Sequence, residues 1–129
     1  MFTLLLRRFM VRCAQQTAIR AGASALVTGE SIGQVASQTM LSMVVTDQAS
    51  DMPIFRPCIG LDKEEIVVRA RQIGTFDIST LPYEDCCAMF TPRHPNTHPK
   101  LEAVLAEEAK LDVEGLVERA METKQVIFC

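Results

Sequence analysis

Residues 25–34 read ALVTGESIGQ, and this stretch decides the fold because a short apolar run leads directly into a glycine turn and a helix-capping sequence. The run Ala25 to Thr28 is typical of a short buried strand. Ser31 and Gln34, three residues apart, form a capping box, which predicts a helix over residues 32–43. A strand, a glycine turn and a helix in this order indicate an α/β fold with a short parallel sheet.

The flanking sequence continues this alternation of strands and helices. Helical spacing of apolar residues predicts the first helix, and Asp62 with Glu65 forms a second capping signature before a helix that stops at Gly74. Val44 and Val45 are interpreted as the start of a short strand. Two or three strands are few for a parallel sheet, so the chain is expected to be part of a larger α/β domain. The remaining predicted elements are helices over residues 3–20, 100–109 and 112–123, and a strand over residues 54–56.

Composition limits the classes of function. The chain has 129 residues, of which 48% are hydrophobic, and a formal net charge of -3. Mild acidity argues against a whole-surface electrostatic grip on nucleic acid and leaves only a local basic patch. No apolar run approaches the roughly 20 residues that span a bilayer, so no membrane contact is predicted. Five cysteines without disulfide-module spacing favour a reducing, cytoplasmic setting.

The glycine turn is the first candidate site. In α/β folds, ligands bind at the carboxyl ends of the strands, where Gly29 would let the backbone approach a ligand closely. The turn is equally consistent with an ordinary connection capped by Ser31. Gln38 belongs to a polar stripe on the next predicted helix, which is either solvated or able to contact a base or ribose. Arg7 is either salt-bridged or, if it points at this edge, able to pair with phosphate.

The second candidate site is a proline-rich loop over residues 80–99. It contains Cys86 and Cys87, which could be small buried residues, zinc ligands together with His94 and His98, or a reactive thiol. Its mixture of acidic and basic residues leaves the pKa of both thiols undecided. The loop position favours a reactive thiol over the other two interpretations.

Three blocks of sequence resemble one family, the tRNA 4-thiouridine synthases, also called tRNA sulfurtransferases or thiamine-biosynthesis sulfurtransferases. The first block is ALVTGESIGQVASQT at 25–39, and the second is RP at 56–57 followed by GLDKEEI at 60–66. The third is IGT at 73–75, followed by LPYEDCC at 81–87 and then by Pro95, Lys100 and Leu101. The blocks occur in the family's order and cover nearly the whole chain, which makes the resemblance specific.

The resemblance implies a fold and a reaction. The fold would be part of a three-layer α/β/α PP-loop ATP pyrophosphatase domain, of the adenine nucleotide alpha hydrolase-like class. The family uses ATP with Mg2+ to adenylate O4 of uridine 8 in tRNA, and a cysteine desulfurase supplies sulfur as a persulfide. The positions that match the family's nucleotide contacts are Arg7, Gly29 and Gln38. The position that best matches the family's loop cysteine is Cys87, with Cys86 a close second.

The sequence also departs from the family pattern. A phosphate loop of the form Ser-Gly-Gly-x-Asp-Ser is absent, and so are the ferredoxin-like and THUMP domains that grip tRNA. Residues 1–129 are therefore expected to be the C-terminal portion of the catalytic domain, active only with a missing N-terminal portion or in a homodimer. Two alternatives stay open: a sulfur carrier or interaction module that uses Cys86 and Cys87 without ATP, and a truncated, non-catalytic remnant.

Overall fold

The first helix organises the fold. A computed structural model describes residues 1–33, 38–82 and 99–127 of the chain. Helix α1 spans Phe2–Arg20, as the helical spacing predicts. It ends where Gly22 adopts φ 70°, and the N–H of Ala23 donates to the carbonyl of Ala18 at 2.9 Å. Within the described ranges, no helix combines the length and the apolar character needed to cross a membrane.

A two-stranded parallel sheet lies beside α1. Strand β1 spans Leu26–Val27 and strand β2 spans Ile54–Phe55, with Leu26 paired to Ile54 and Val27 paired to Phe55. The prediction of an α/β fold with a short parallel sheet is confirmed. Because the strands are parallel, both chains leave the sheet at the same edge, which we call the carboxyl edge.

The second helix begins later than predicted. Helix α2 spans Met40–Asp47, whereas the capping box at Ser31 predicted a helix over residues 32–43. Gly33 adopts φ 80°, which lies outside the helical region, so a helix cannot pass through it. The cap is instead Thr39, whose hydroxyl accepts a hydrogen bond from the N–H of Ser42 at 3.2 Å. Residues 34–37, including Gln34, lie outside the described residues.

The predicted strand at Val44 and Val45 is wrong, because both residues belong to α2. A short apolar run is compatible with a buried strand and with one face of a helix, and periodicity does not separate them. Val45 is 2% exposed and joins Leu4 and Val104 in the hydrophobic core, with Leu5 and Leu101 packed against it. The valine pair therefore packs a helix onto α1.

The third helix follows its prediction closely. Helix α3 spans Lys63–Gln72, and its N-terminus carries the complete capping box of Asp62 and Glu65. Gly74 adopts φ 73° just after the helix, which ends it as predicted. A short helix that was not predicted, α4, spans Phe76–Ser79, and Arg71 lies 4.6 Å over the Phe76 ring. Neither α3 nor α4 contains a buried residue.

Two C-terminal helices complete the described structure, close to their predicted bounds. Helix α5 spans Leu101–Glu108 and helix α6 spans Val113–Glu122. Helix α5 is tied to α1 by Glu108, which accepts hydrogen bonds from Arg8 at 2.8 and 3.0 Å and from Arg12 at 2.5 and 3.0 Å. Arg8 is only 1% exposed and also donates to the Val45 carbonyl. This ion pair therefore joins α1, α2 and α5 beside the core.

Candidate functional site

The carboxyl edge is built from two segments that leave β1 and β2 together. The N–H of Ile32 donates to the carbonyl of Ile59 at 3.1 Å. The hydroxyl of Ser31 donates to the carbonyl of Leu61 at 2.5 Å. Ser31 thus joins the two segments instead of capping a helix, and its side chain is nearly inaccessible, with the residue 2% exposed. The two segments form one surface at the end of the sheet.

Glu30 is the centre of a charge network on this surface. Its Oε1 atom accepts a hydrogen bond from Arg7, and its Oε2 atom accepts from Nε of Arg56 at 2.6 Å. The hydroxyl of Thr28 donates to the same Oε2 atom at 2.9 Å. The Glu30 side chain is 6% exposed, so its charge is screened little by water. One buried carboxylate therefore connects α1, the turn after β1 and the residue after β2.

Asp47 extends the network to α2. Its Oδ1 atom accepts a hydrogen bond from Nη2 of Arg56, and its Oδ2 atom lies 3.3 Å from Nη1. This two-pronged contact fixes the plane of the Arg56 guanidinium. Two arginines and two carboxylates balance in formal charge. The network connects α1 and α2 with the segments that follow β1 and β2.

Two of the three predicted nucleotide-contacting residues, Arg7 and Gly29, lie directly on this edge. Arg7 reaches it from α1, and its side chain as a whole is 23% exposed. Gly29 does not have the positive φ that would require glycine. A Cβ atom added at Gly29 would meet no atom of the described residues within 4 Å. Packing within those residues therefore does not explain the glycine.

Gln38 also reaches the turn, but part of its side chain has a structural role. Its Oε1 atom accepts a hydrogen bond from the N–H of Ser31 at 3.3 Å, and its backbone carbonyl accepts from the N–H of Gly33 at 3.1 Å. Gln38 therefore closes the turn after β1. A glutamine amide also has two N–H donors on its nitrogen, which are the groups suited to contact a ligand.

A cavity of about 230 Å³ opens beside the network, between α1 and β1. Arg7, Thr28 and Glu30 line its polar part, and Met10 and Val27 line its apolar part. A larger cavity of about 570 Å³ lies between α1 and α6 and shares no lining residue with the first. The smaller cavity is the better candidate site, because it combines apolar and charged surfaces at the carboxyl ends of the strands.

The sequence interpretation missed Glu30, Arg56 and Asp47 as members of the site. Glu30 comes two residues after the first predicted strand, and Arg56 is the last residue of the strand predicted over 54–56. The shared carboxyl edge of a parallel sheet was therefore the signal that could have paired them. Asp47 gave no such signal, because it lies at the end of a helix whose position was predicted incorrectly.

The predicted thiol site lies outside the described residues. Residues 83–98, which are not described, include all four of its members: Cys86, Cys87, His94 and His98. Of the cysteines that are described, Cys13 and Cys58 carry free thiols. Burial raises the pKa of Cys13, which disfavours its nucleophilic thiolate form.

Comparison with solved structures defines the class of fold and site. Over 95% of its length, the chain is similar to a chain in the crystal structure of a 4-thiouridine synthetase–RNA complex with bound ATP, at 38% sequence identity and a TM-score of 0.85. A family model described as thiamine biosynthesis protein (ThiI) matches residues 1–113. The chain belongs to this family.

Curated relatives agree with this placement. The chain is 52% identical over 125 residues to a probable tRNA sulfurtransferase of Acetivibrio thermocellus, which covers 97% of this chain. It is also 52% identical over 124 residues to the probable tRNA sulfurtransferase of Alkaliphilus oremlandii, which covers 96% of this chain. In both cases the match spans 32% of the relative, so the chain corresponds to about a third of their length.

Proposed function

We propose that this chain supplies the nucleotide-contacting C-terminal part of a tRNA sulfurtransferase catalytic domain, which uses ATP to form 4-thiouridine in tRNA. The observation that carries the proposal is the position of Arg7 at the carboxyl edge, next to the open space at Gly29. The similarity to a synthetase solved with RNA and ATP supports the same assignment.

The edge has the chemistry that a nucleotide needs. A partly exposed guanidinium such as that of Arg7 can donate to phosphate oxygens. Gly29 leaves room for the nucleotide to approach the backbone. The amide nitrogen of Gln38 can donate to a base or ribose acceptor, while its oxygen holds the turn.

Mg2+ is proposed only from the family resemblance, since the family uses ATP together with this ion. Residues 1–33, 38–82 and 99–127 contain no cluster of three His, Cys, Asp or Glu side chains that could hold a metal ion. The two carboxylates at the edge, Glu30 and Asp47, are both engaged by arginines. The described residues therefore do not fit a resident metal site, and no step is assigned to the ion.

The sulfur step would follow adenylation of the uridine O4 atom by ATP, with release of pyrophosphate. The outer sulfur of a persulfide attacks C4 and forms the carbon–sulfur bond, while the carbon–oxygen bond breaks and AMP leaves with the original oxygen. A second thiol then attacks the sulfur that remains on the persulfide-bearing cysteine, which breaks the S–S bond, forms a disulfide and leaves the transferred sulfur on C4 as 4-thiouridine. We assign the working thiol to Cys87, with Cys86 as the second choice. The family resemblance supports a cysteine desulfurase as the donor, and the cysteine pattern supports a cytoplasmic location. A homodimer is a further part of the proposal.

The proposal can be tested in a complete enzyme. The matching third of the Acetivibrio thermocellus protein is replaced by this chain, and 4-thiouridine in tRNA is measured by mass spectrometry of nucleosides. We expect thiolation that Cys87→Ser abolishes and that the control Cys13→Ser retains. If the hybrid protein folds and binds tRNA but forms no 4-thiouridine, the proposed function is wrong. If Cys87→Ser retains activity and Cys86→Ser loses it, the thiol assignment moves to Cys86.

A further inference from the structure

The orientation of the Arg7 side chain depends on its contact with Glu30. Arg7 has a long, flexible side chain on α1, and a guanidinium contacts phosphate well only when its fork is held in a fixed orientation. The structure shows Oε1 of Glu30 accepting a hydrogen bond from this guanidinium. We propose that Glu30 is a positioning residue, which orients Arg7 toward the phosphate groups of a nucleotide at the carboxyl edge.

Glu30 is itself held rigidly, which a positioning residue requires. Its Oε2 atom accepts from Arg56 at 2.6 Å and from the Thr28 hydroxyl at 2.9 Å. Arg56 is in turn fixed by Asp47, and the Arg56 side chain is 12% exposed. The carboxylate therefore has two anchors on one oxygen and presents its other oxygen to Arg7.

The two arginines of the network differ in their exposure. The side chain of Arg7 is 23% exposed, compared with 12% for Arg56 and 6% for Glu30. Both arginines line the open cavity, and Arg7 is the more exposed of the two.

A simple electrostatic view predicts the opposite effect of Glu30. A carboxylate near bound phosphate repels it, so removal of the negative charge would strengthen nucleotide binding. The positioning role predicts weaker binding after the same change, because Arg7 loses its fixed orientation. The sign of the change in affinity therefore separates the two possibilities.

The contact between Arg7 and a nucleotide rests on the proposed function. The ordering of Arg7 by Glu30 does not, because it can be measured in the absence of a nucleotide. The test uses the full 129-residue chain and the variant Glu30→Gln, which keeps the size of the side chain and removes its charge. The control is Glu107→Gln, which removes one carboxylate from an exposed pair with Lys110 elsewhere on the surface. Circular dichroism checks that each variant is folded.

Two readouts are taken from each protein. The heteronuclear NOE of the Arg7 Nε–H group reports side-chain order, and calorimetry reports the affinity for ATP. We expect Glu30→Gln to lower the NOE of Arg7 and to weaken ATP binding about tenfold, the factor that corresponds to loss of one charge-assisted hydrogen bond. The control variant should match the wild type in both readouts.

The outcomes separate the two levels of the inference. If Arg7 stays ordered in Glu30→Gln, the positioning role is wrong whatever ATP does. If Arg7 becomes mobile while ATP binds equally well or more tightly, Glu30 does not act on the nucleotide. If the wild-type chain binds no ATP by itself, ATP affinity is compared in the hybrid enzyme with and without Glu30→Gln, while the NOE still decides whether Glu30 orders Arg7. If Glu30→Gln does not fold, Thr28→Val, which removes one anchor of Glu30, should give a smaller loss of Arg7 order.

Discussion

The ion pair between Glu108 and two arginines gives the sharpest prediction about stability. The carboxylate accepts four hydrogen bonds from Arg8 and Arg12, and Arg8 is almost fully buried. Glu108→Gln leaves the Arg8 charge buried without a carboxylate. Breaking a buried ion pair from one side costs about 3–5 kcal/mol, a large part of the roughly 5–15 kcal/mol that stabilises a typical domain.

The lowered pKa of Glu108 leads to a similar contribution to the free energy of unfolding. Hydrogen bonds from Arg8, then those from Arg12, hold the pKa of Glu108 at about 2, compared with its ordinary value of 4.5, and outweigh the opposite effect of burial. A difference of 2.5 pKa units corresponds to about 3 kcal/mol. Because the folded pKa is the lower one, this stabilisation is complete above pH 4.5 and is lost as the pH falls toward 2.

The assay is urea unfolding followed by circular dichroism, at several pH values from neutral to acid. At neutral pH, we expect Glu108→Gln to lower the free energy of unfolding by about 3 kcal/mol. The neighbouring control Glu107→Gln removes only an exposed pair with Lys110 and should cost less than about 1 kcal/mol. The acid-dependent loss between pH 4.5 and 2 should shrink in Glu108→Gln. A loss no greater than that of the control, or an unchanged acid profile, would refute the role of this ion pair.

Three further predictions concern helix ends. Asp62→Ala should speed amide hydrogen exchange throughout α3 by a factor equivalent to about 1 kcal/mol, because α3 has no buried residue and relies on its capping box. The control Glu64→Ala should leave the exchange rates unchanged. Thr39→Ala should lower the free energy of unfolding by about 1 kcal/mol in urea titrations, since it removes the cap of α2; an unchanged midpoint would contradict this. Gly115→Ala should leave the melting temperature nearly unchanged, because the gain of about 1 kcal/mol in helix propensity is offset by a clash with the Asp112 cap.

Local signals in the sequence located most of the helices correctly. The capping box at Asp62 and the glycine after it act within one turn of the chain, so their effect on α3 does not depend on distant contacts. The first helix and the two C-terminal helices carry equally local patterns. The strands β1 and β2 were also found, because each is a short apolar run bounded by turn residues.

The errors arose where distant contacts decide the structure. Ser31 has the local pattern of a helix cap, yet its hydroxyl donates to Leu61, thirty residues away. Val45 has the local pattern of a strand, yet the packing of α2 against Leu4 and Val104 decides its conformation. Propensity acts locally, and these competing contacts are formed only in the folded chain.

Some of the residues of the candidate site were predicted from the sequence, whereas the contacts between them were predicted only in part. Arg7, Gly29 and Gln38 were singled out from sequence motifs, and the structure brings all three to the turn after β1. The contact of Arg7 with Glu30, and that of Glu30 with Arg56, were not predicted, because the segments after β1 and β2 meet only through the parallel pairing of the strands. A sequence motif indicates which residues belong to a site, and the strand register decides which of them touch.

The most direct test is a titration of the isotope-labelled 129-residue chain with ATP, followed residue by residue in NMR spectra. The nucleotide-binding assignment predicts saturable shifts at residues 28–31 and at the Arg7 Nε–H group, and weaker binding in Arg7→Gln. Shifts confined to the larger cavity, around Gln48 and Glu118, would contradict it.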